Sequence, residues 1–254
     1  MTDKDIHDSE YVRDLFDRVS NTYGYTNYIA SFGFTERWRK NCISKMSGLQ
    51  KDSSGYDLMC GRGETWANLF SQHPSIMNLT GLDISHEMIK GSQIQVSKLD
   101  LKCVELMEVD VFKNNIPDES ADFIISSFGI KTFTQEQQKH LAVEVNRILK
   151  PGGKFSFVEV SHPKGWIFSW LYMFYLKKLM PVIEKIFLGY SYGYSAIGMY
   201  VTEFVDSKNF HTYLRAQGLQ TEYHKLFFGC ASGVSGQKAI TSGPMYEASP
   251  STAP

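Results

Sequence analysis

Residues 56–66 read YDLMCGRGETW, a short apolar run that ends in two glycines separated by one residue. The run is typical of a buried strand, and Gly61 and Gly63 stand where such a strand has to turn. A residue without a Cβ lets backbone N–H groups come close to a ligand. Ligands of open α/β sheets bind beyond the carboxyl ends of the strands, so this stretch predicts a ligand-binding turn.

Outward from this stretch, strand-like apolar runs alternate with amphipathic helical runs. The second and third strands end in Asp83 and Asp110, ADFIISSFGI forms a fourth, and KFSFVEVS forms a fifth. This alternation predicts an α/β fold with a doubly wound, mostly parallel, seven-stranded Rossmann-like sheet that has helices on both faces. Two short runs near the C-terminus, EYHKLFF and SGQKAI, are expected to complete the sheet.

The chain is expected to divide into five segments. The first is an N-terminal helical arm, with a break predicted at the turn-forming residues NTYGYTNY. The five segments are the arm at 1–46, a cofactor-binding Rossmann-like core at 47–163, an aromatic helical insertion or lid at 164–202, a C-terminal helix and strands at 203–240, and a flexible tail at 241–254.

Composition excludes several classes of protein. The 254 residues have a formal net charge of −1, so no overall basic field recruits nucleic acid. The four cysteines are scattered without a CxxC pair, which predicts neither a disulfide framework nor a metal site and favours the cytoplasm. No signal-peptide pattern and no uninterrupted apolar stretch of about 18 residues is present, so a membrane-spanning helix is not predicted.

Three successive strand ends carry features that suit a nucleoside-containing cofactor. Asp83 follows the glycines by about 20 residues, where an acid that binds a ribose stands in nucleotide-binding units. Asp110 is followed by Val111, whose backbone N–H can meet a purine edge. Each feature alone has a simpler explanation: the glycines as an ordinary turn, Asp83 as an acid at a helix N-terminus, and Asp110 as a turn residue. Together the three indicate a cofactor site.

A family resemblance is carried by five stretches: VRDLFDRVSNTYGYTNYIASFGFTERWRK, DLMCGRGE, GLDISHEMI, IPDESADFIISSFGIK and NRILKPGGKFSFVEVSHP. With them the chain resembles the class I S-adenosylmethionine-dependent methyltransferases, and most of all the ubiquinone/menaquinone C-methyltransferase family. The resemblance covers about residues 10–163, fades through the insertion and returns weakly in FVDSKNFHTYLRAQGL.

The resemblance implies that the chain binds S-adenosylmethionine, releases S-adenosylhomocysteine and methylates an apolar aromatic acceptor, quinol-like or phenol-like, at carbon. The matching motifs and the strand ends together predict the residues that bind the cofactor. Asp110 and Val111 come from the end of the third strand, and the others come from their places in the motifs: Tyr23, Asn27, Cys60, Gly61, Gly63, Asp83, Ile84, Ser127 and Phe128.

Two departures from the family pattern bear on the acceptor. The family has Arg-Asn after SFG(I/L), whereas this chain has Lys131 and Thr132. A lysine is a point charge without the planar fork of an arginine, so it makes a different contact. The insertion after Pro163 also lacks the family pattern. The substrate, rather than the cofactor, is therefore where this chain is expected to differ.

Three side chains are candidates for acceptor chemistry, because a ring carbon beside a hydroxyl reacts through its phenolate, which a cation or a base favours. Lys131 is predicted to stabilise an oxyanion, His162 to act as a base directly or through water, and Tyr194 to orient a hydroxyl. The alternatives are a solvated surface lysine, a loop histidine and a packing tyrosine.

Residues 166–187 are dense in aromatic and aliphatic side chains and include Lys177, Lys178 and Lys185. Either an amphipathic helix packed on the core or a lid over an apolar acceptor accounts for this pattern. As a lid, residues 164–190 can also touch a membrane surface, where the lysines suit anionic headgroups. The protein is then a cytoplasmic protein that is peripheral at the membrane. The sequence leaves open whether the chain forms a homodimer.

Rival functions share much of this sequence. A nicotinamide-dependent oxidoreductase uses the same kind of sheet, but the third glycine of its fingerprint is missing and KPGG points elsewhere. A natural-product methyltransferase, acting at O, N or C of a soluble aromatic or polyketide-like acceptor, agrees with the first 163 residues equally well. The third rival is a protein that binds the cofactor without turnover, or that uses it for chemistry other than methylation.

Overall fold

The structure is a computed structural model that describes residues 6–188 and 193–240. The side chains of residues 21–23, 25–27, 29–30, 184, 186–188 and 193–195 are not part of the description. The predicted tail and the side chains of Tyr23, Asn27 and Tyr194 therefore lie outside the described part of the chain.

Seven strands form one sheet in the order β3-β2-β1-β4-β5-β7-β6. All neighbouring pairs are parallel except those that involve β7, which is antiparallel to both β5 and β6. The strands are β1 Ser54–Leu58, β2 Asn78–Asp83, β3 Val104–Glu108, β4 Ala121–Ser127, β5 Leu149–Val160, β6 Gln220–Leu226 and β7 Ala231–Gln237. The predicted fold class is confirmed.

Helices cover both faces of this sheet and also form the arm and the insertion. They are α1 Ser9–Ala30, α2 Phe34–Ser44, α3 Trp66–Gln72, α4 His86–Leu99, α5 Gln135–Ile148, α6 Ser169–Phe174, α7 Met180–Leu188, α8 Gly193–Phe204 and α9 Lys208–Ala216. One π-helical turn, Tyr175–Leu179, joins α6 to α7. In the described residues no helix combines the length and the apolarity needed to cross a membrane.

Two apolar cores, one on each face, hold the sheet between its helices. Successive residues of β4 point to opposite faces, so Ile124 joins the core formed with α5 and α9, whereas Phe123 and Ile125 join the core formed with α2 and α3. All three side chains are fully buried. Burying one such side chain contributes about 1.5–3 kcal/mol, so the two cores supply the main stabilisation of the sheet.

Local signals in the sequence set the helix starts that matter for the site. The Ser85 hydroxyl accepts a hydrogen bond from the backbone N–H of Met88 at 3.1 Å and is the N-cap of α4. Thr134 and Gln137 form a reciprocal capping box at the start of α5.

Two local expectations were wrong. Helix α1 runs unbroken through NTYGYTNY, and the chain breaks later, where Phe32 and Gly33 take left-handed backbone conformations with φ of 51° and 76°. The last strand is Ala231–Gln237, which contains SGQ but not KAI. The last strand pairs with β5 and β6 from Ala231 to Gln237, so its bounds follow contacts that are distant in sequence.

Candidate functional site

A crevice lies beyond the carboxyl ends of β1, β2, β3 and β4, where the order of the strands reverses between β1 and β4. We call it the cofactor crevice. It brings together most of the residues predicted for cofactor binding: Cys60, Gly61, Asp83, Ile84, Asp110, Val111, Ser127 and Phe128.

Asp83 is the best-held carboxylate of the crevice. Its Oδ2 accepts a hydrogen bond from the backbone N–H of Gly61 at 2.8 Å, and its Oδ1 accepts one from the N–H of Ser85 at 2.9 Å. Burial raises the pKa of Asp83 to about 6, Glu64 adds to the rise, and the backbone N–H groups oppose it. At neutral pH the group is an oriented carboxylate beside the glycine turn.

Gly63 does not line the crevice but shapes the turn behind it. Its φ is 76°, and a Cβ at this position would lie 2.4 Å from the ring of the fully buried Trp66. The indole N–H of Trp66 donates a hydrogen bond to Oδ2 of Asp57 at 2.9 Å. Gly63 therefore makes room for a tryptophan that anchors the loop to the middle of β1.

The N-terminal arm closes one side of the crevice. The Ser9 hydroxyl donates a hydrogen bond to Oδ2 of Asp110 at 3.1 Å, and Phe16 lines the same wall. His7 reaches further, with Nδ1 at 2.8 Å from the carbonyl oxygen of Thr132 and Nε2 at 2.8 Å from Glu203 of α8. Sequence reasoning did not find these arm residues, because nothing in their own segment indicates a ligand.

Two further side chains of the crevice were also missed, Glu64 and Arg39. Oε1 of Glu64 and Nε of Arg39 are buried and have no hydrogen-bond partner among the described residues. Arg39 pairs with Glu36 and lies over the Phe128 ring, 5.1 Å from its centroid. The position of Glu64 directly after the glycine loop is a sequence signal for a residue of the crevice. Arg39 lies on α2, and nothing in the sequence around it indicates that it reaches the crevice.

A second cavity of about 570 Å³, the apolar cavity, opens beside the crevice and shares the wall formed by Phe128. Its walls come from α2, the insertion and the loop before β7. Lys131 is the one charged side chain among the described residues that line it. The lining is otherwise mainly aromatic and aliphatic: Phe32, Phe34, Trp38, Val160, Trp166, Phe168, Leu171, Tyr172, Phe174, Tyr175, Leu176, Leu179, Ile197 and Phe227.

Lys131 is buried and ion-paired, so it is not a solvated surface lysine. Only 3% of its side chain is exposed, and its Nζ lies 3.1 Å from Oε1 of the fully buried Glu159. Nζ also donates to the carbonyl oxygen of Phe128, whose backbone is left-handed with φ of 66°. Burial raises the pKa of Glu159, and the charge and hydrogen bonds of Lys131 oppose the rise.

The structure does not bring His162 to the apolar cavity. Its side chain lies in a separate polar cavity, next to Lys164 and Lys225, because the chain turns away after β5 at Pro163. Burial lowers the pKa of His162, and Lys164 and Lys177 lower it further. Among the predicted acceptor residues whose side chains are described, only Lys131 faces the apolar cavity.

A doubly wound sheet with a glycine turn and two acids at its carboxyl edge, beside an apolar cavity, is the arrangement predicted for a methyltransferase that uses S-adenosylmethionine. The sequence profile of the ubiE/COQ5 methyltransferase family matches residues 4–238, and the chain belongs to this family. It is an S-adenosylmethionine-dependent methyltransferase, as predicted.

Individual relatives agree with this assignment. The chain is 30% identical over 232 residues to the ubiquinone/menaquinone biosynthesis C-methyltransferase UbiE of Geotalea daltonii. The aligned residues cover 90% of this chain and 97% of that protein. It is 29% identical over 224 residues to a demethylmenaquinone methyltransferase of Bacillus cereus, with 88% and 93% covered. An S-adenosylmethionine-dependent methyltransferase structure from Aquifex aeolicus shares the fold, with a TM-score of 0.54, 18% identity, and 78% and 88% covered.

The residues of the crevice fit this cofactor. The unpartnered Oε1 of Glu64 can accept a hydrogen bond from an ammonium, and the unpartnered Nε of Arg39 can donate one to a carboxylate. An ammonium and a carboxylate are the charged groups at the amino-acid end of S-adenosylmethionine. The carboxylate of Asp83 has lone pairs that can accept hydrogen bonds from ribose hydroxyls, the role predicted for it, and Val111 lines the crevice at the place predicted for the adenine edge.

Proposed function

We propose that this methyltransferase acts on a ring carbon of a quinol-like acceptor that carries an apolar side chain. The proposal is carried by the apolar cavity, where Lys131 is the one charged side chain among the described lining residues and bonds to the backbone of Phe128, the residue that also lines the cofactor crevice. Ligand sites of this kind are mostly apolar, with a few polar groups that fix orientation. The names of the relatives, which refer to ubiquinone, menaquinone and demethylmenaquinone, support the same acceptor class.

When bound, S-adenosylmethionine supplies a methyl group activated by a positively charged sulfur. The residues of the chain then have to hold the acceptor ring in line with this methyl, a positioning effect worth up to about 7–11 kcal/mol. Phe128 and Trp38 form part of the apolar wall near the crevice and exclude water from the ring.

Lys131 is proposed to donate a hydrogen bond to the acceptor hydroxyl and to stabilise its phenolate form. A lysine ammonium has three N–H donors. Two are directed at Glu159 and at the Phe128 carbonyl oxygen, which leaves one for the acceptor. Phenolate charge enriches the neighbouring ring carbon in electrons. This carbon forms a bond to the methyl as the methyl–sulfur bond breaks, and it then loses its hydrogen as a proton to solvent, which restores the aromatic ring.

Residues 164–190 are proposed to contact the membrane from which the acceptor is drawn. Several large apolar side chains of this segment are exposed: Ile167, Phe168, Trp170, Leu171, Phe174, Leu179 and Val182. Exposed apolar patches of this kind mark interaction surfaces. The protein is then a cytoplasmic enzyme that is peripheral at the membrane. A homodimer through the same face is the alternative, and sedimentation equilibrium of the protein without lipid separates the two.

The acceptor is tested by mass spectrometry of methyl transfer. Purified protein is incubated with S-adenosylmethionine and quinols that carry short or long isoprenoid chains, and with soluble phenols. We expect a gain of one methyl on a ring carbon of the quinols, with higher kcat/KM for the chain-bearing ones. Methylation confined to soluble phenols, or to oxygen or nitrogen, contradicts the proposal and favours a natural-product acceptor.

The role of Lys131 needs a variant that keeps the buried charge balanced, because an unpaired Glu159 costs about 3–5 kcal/mol. The double variant Lys131→Met/Glu159→Gln is neutral and of similar volume. We expect kcat to fall about 10²–10³-fold while calorimetry gives an unchanged affinity for S-adenosylmethionine. Lys139→Met, on the exposed face of α5, is the control. A fully active double variant removes Lys131 from the mechanism.

A further inference from the structure

The polar cavity has a volume of about 420 Å³ and lies between the end of β5, the start of α9 and β6. Its charged and titratable lining groups are Glu203, Asp206, His162, Lys164, Lys208, Tyr223 and Lys225. The carboxylates already have side-chain partners. Glu203 pairs with His7 at 2.8 Å, and Asp206 pairs with Lys208 at 3.5 Å.

Lys164 and Lys225 are therefore the cations of this cavity that have no carboxylate partner among the described residues. The backbone makes room for one of them. Gly229 has a φ of 97°, and a Cβ at this position would lie 2.8 Å from Cε of Lys225 and 3.4 Å from Cα of Pro163. The missing side chain of Gly229 lets the Lys225 stem pass beside the turn that carries Lys164. His162 is half-buried, and its lowered pKa keeps it a neutral hydrogen-bonding group at neutral pH.

An aromatic surface adjoins these lysines. Lys164 stands two residues before Trp166, and Lys225 two residues before Phe227. Trp166 stacks on Phe228 with ring centroids 5.3 Å apart and planes within 3° of parallel. We call Trp166, Phe168, Trp170, Phe227 and Phe228 the aromatic rim.

Two residues of the rim have strained backbones. Phe227 and Phe228 both have left-handed conformations, with φ of 41° and 56°, and their side chains are 45% and 59% exposed. Residues other than glycine rarely take this conformation, and strain of this kind collects at functional sites. Exposed aromatic rings beside free lysines match the interfacial region of an anionic bilayer, where rings lie at headgroup level and lysines meet phosphates.

We infer that the polar cavity binds the phosphate of an anionic lipid headgroup through Lys164 and Lys225 while the aromatic rim lies in the interfacial layer of the same bilayer. This inference rests on the membrane contact in the proposed function and adds a headgroup site that joins Lys164, the first residue of the segment 164–190, to Lys225, which lies outside that segment. Because Trp166, Phe168 and Phe227 also line the apolar cavity, a protein held this way has the cavity beside the lipid.

Co-sedimentation with phosphatidylcholine vesicles, with and without phosphatidylglycerol, tests the site. We expect the full chain to prefer the anionic vesicles and Lys164→Gln or Lys225→Gln to weaken that binding about fivefold each. Phe228→Ser should weaken binding to both kinds of vesicle. Lys98→Gln, which removes an exposed lysine near the C-terminal end of α4, outside residues 164–190 and outside the lining of the polar cavity, is the matched control. An equal loss in Lys98→Gln means diffuse attraction and overturns the site.

Two further measurements separate the outcomes. Calorimetry with inorganic phosphate in the absence of vesicles tests a free anion, and phosphate binding without any preference for anionic vesicles overturns the lipid assignment. Methyl transfer to a short-chain quinol in solution should be unchanged in all four variants. If that activity is absent from the unmodified protein but vesicle binding depends on Lys225, the acceptor proposal fails and the lipid site stands.

Discussion

Gly61 and Gly63 have similar left-handed backbones, with φ of 57° and 76°, but different neighbours. A Cβ on Gly61 would lie 3.3 Å from Oε2 of Glu64, the far end of a flexible side chain in the crevice. A Cβ on Gly63 would lie 2.4 Å from the buried Trp66 ring, which cannot move aside. One glycine therefore serves the ligand surface and the other the packing of the loop.

This difference predicts distinct losses for two matched substitutions. Gly63→Ala should lower the free energy of unfolding by about 2–4 kcal/mol, because it adds overpacking to backbone strain. Gly61→Ala should cost about 1 kcal/mol of stability but weaken S-adenosylmethionine binding at least about tenfold. Urea denaturation and calorimetry measure the two quantities. Equal stability losses in the two variants contradict the assignment of Gly63 to packing.

Lys131 illustrates how far single residues could be predicted. Its place after SFGI marked it as a candidate, but nothing nearby in sequence shows that it is buried. Its partner Glu159 lies 28 residues away, on the neighbouring strand β5, and only the pairing of β4 with β5 brings the two together. Asp83 was easier to find, because it ends a strand and follows the glycine turn by about 20 residues, a spacing that is itself a sequence signal for a ribose-binding acid.

Helix α1 shows why an element can override its local sequence. The arm is held to the core by several polar contacts rather than by helix propensity alone. The Asp17 carboxylate accepts hydrogen bonds from the Ser85 hydroxyl at 2.6 Å and from the Glu87 backbone N–H at 3.2 Å, at the N-terminus of α4. Arg62 of the glycine loop donates to the Ser20 hydroxyl at 3.0 Å. Such contacts stabilise a helix through turn-forming residues.

Asp17→Ala should loosen the arm without unfolding the core. The variant loses two hydrogen bonds to a carboxylate and a favourable charge at a helix N-terminus, together about 2–3 kcal/mol of local stability. Because the arm closes the crevice, we expect weaker S-adenosylmethionine binding and faster proteolysis within residues 6–30. Limited proteolysis with and without the cofactor measures both effects.

Asp14→Ala is the control for this prediction. Asp14 lies on the same helix, is 45% exposed and pairs only with its neighbour Arg13 among the described residues. Its removal should leave proteolysis and binding unchanged, since exposed pairs contribute little. If the two variants are cleaved at the same rate, the docking of α1 on α4 does not hold the arm.

For the molecule as a whole, the sheet was predictable and the cavities were not. Alternation of strands and helices is a repeated local pattern, and it leads to a parallel sheet with its ligand edge at the carboxyl ends. The apolar cavity instead combines residues from Ser31 to Cys230, contributed by the arm, the core, the insertion and the β6–β7 connection. No local pattern encodes such an assembly, so the acceptor side of the site needed the structure.

The same sheet buries an acid whose charge affects the stability of the whole chain. Asp57, on β1, is 1% exposed, and its Oδ1 has no hydrogen-bond partner among the described residues. Burial raises the pKa of Asp57 to about 8; the hydrogen bond from Trp66 opposes the rise, whereas Glu64 and Asp83 add to it. An unfolded aspartate has a pKa of about 3.9.

Between about pH 4 and about pH 8 the folded chain therefore holds a proton on Asp57 that the unfolded chain has released. The free energy of unfolding contributed by this group is largest below pH 4 and is lost as the pH rises toward 8. The variant Asp57→Asn keeps an oxygen that accepts the hydrogen bond of the Trp66 indole, but its side chain does not ionise. The variant therefore does not lose this contribution to the free energy of unfolding as the pH rises. The stability of the variant relative to the original protein should rise by at least about 1 kcal/mol between about pH 5 and about pH 8.

Urea denaturation followed by tryptophan fluorescence measures this difference in stability. Asp14→Asn, which changes an exposed aspartate, is the control and should show no such trend. Parallel pH profiles of the Asp57→Asn variant and the original protein would mean that Asp57 ionises normally inside the sheet.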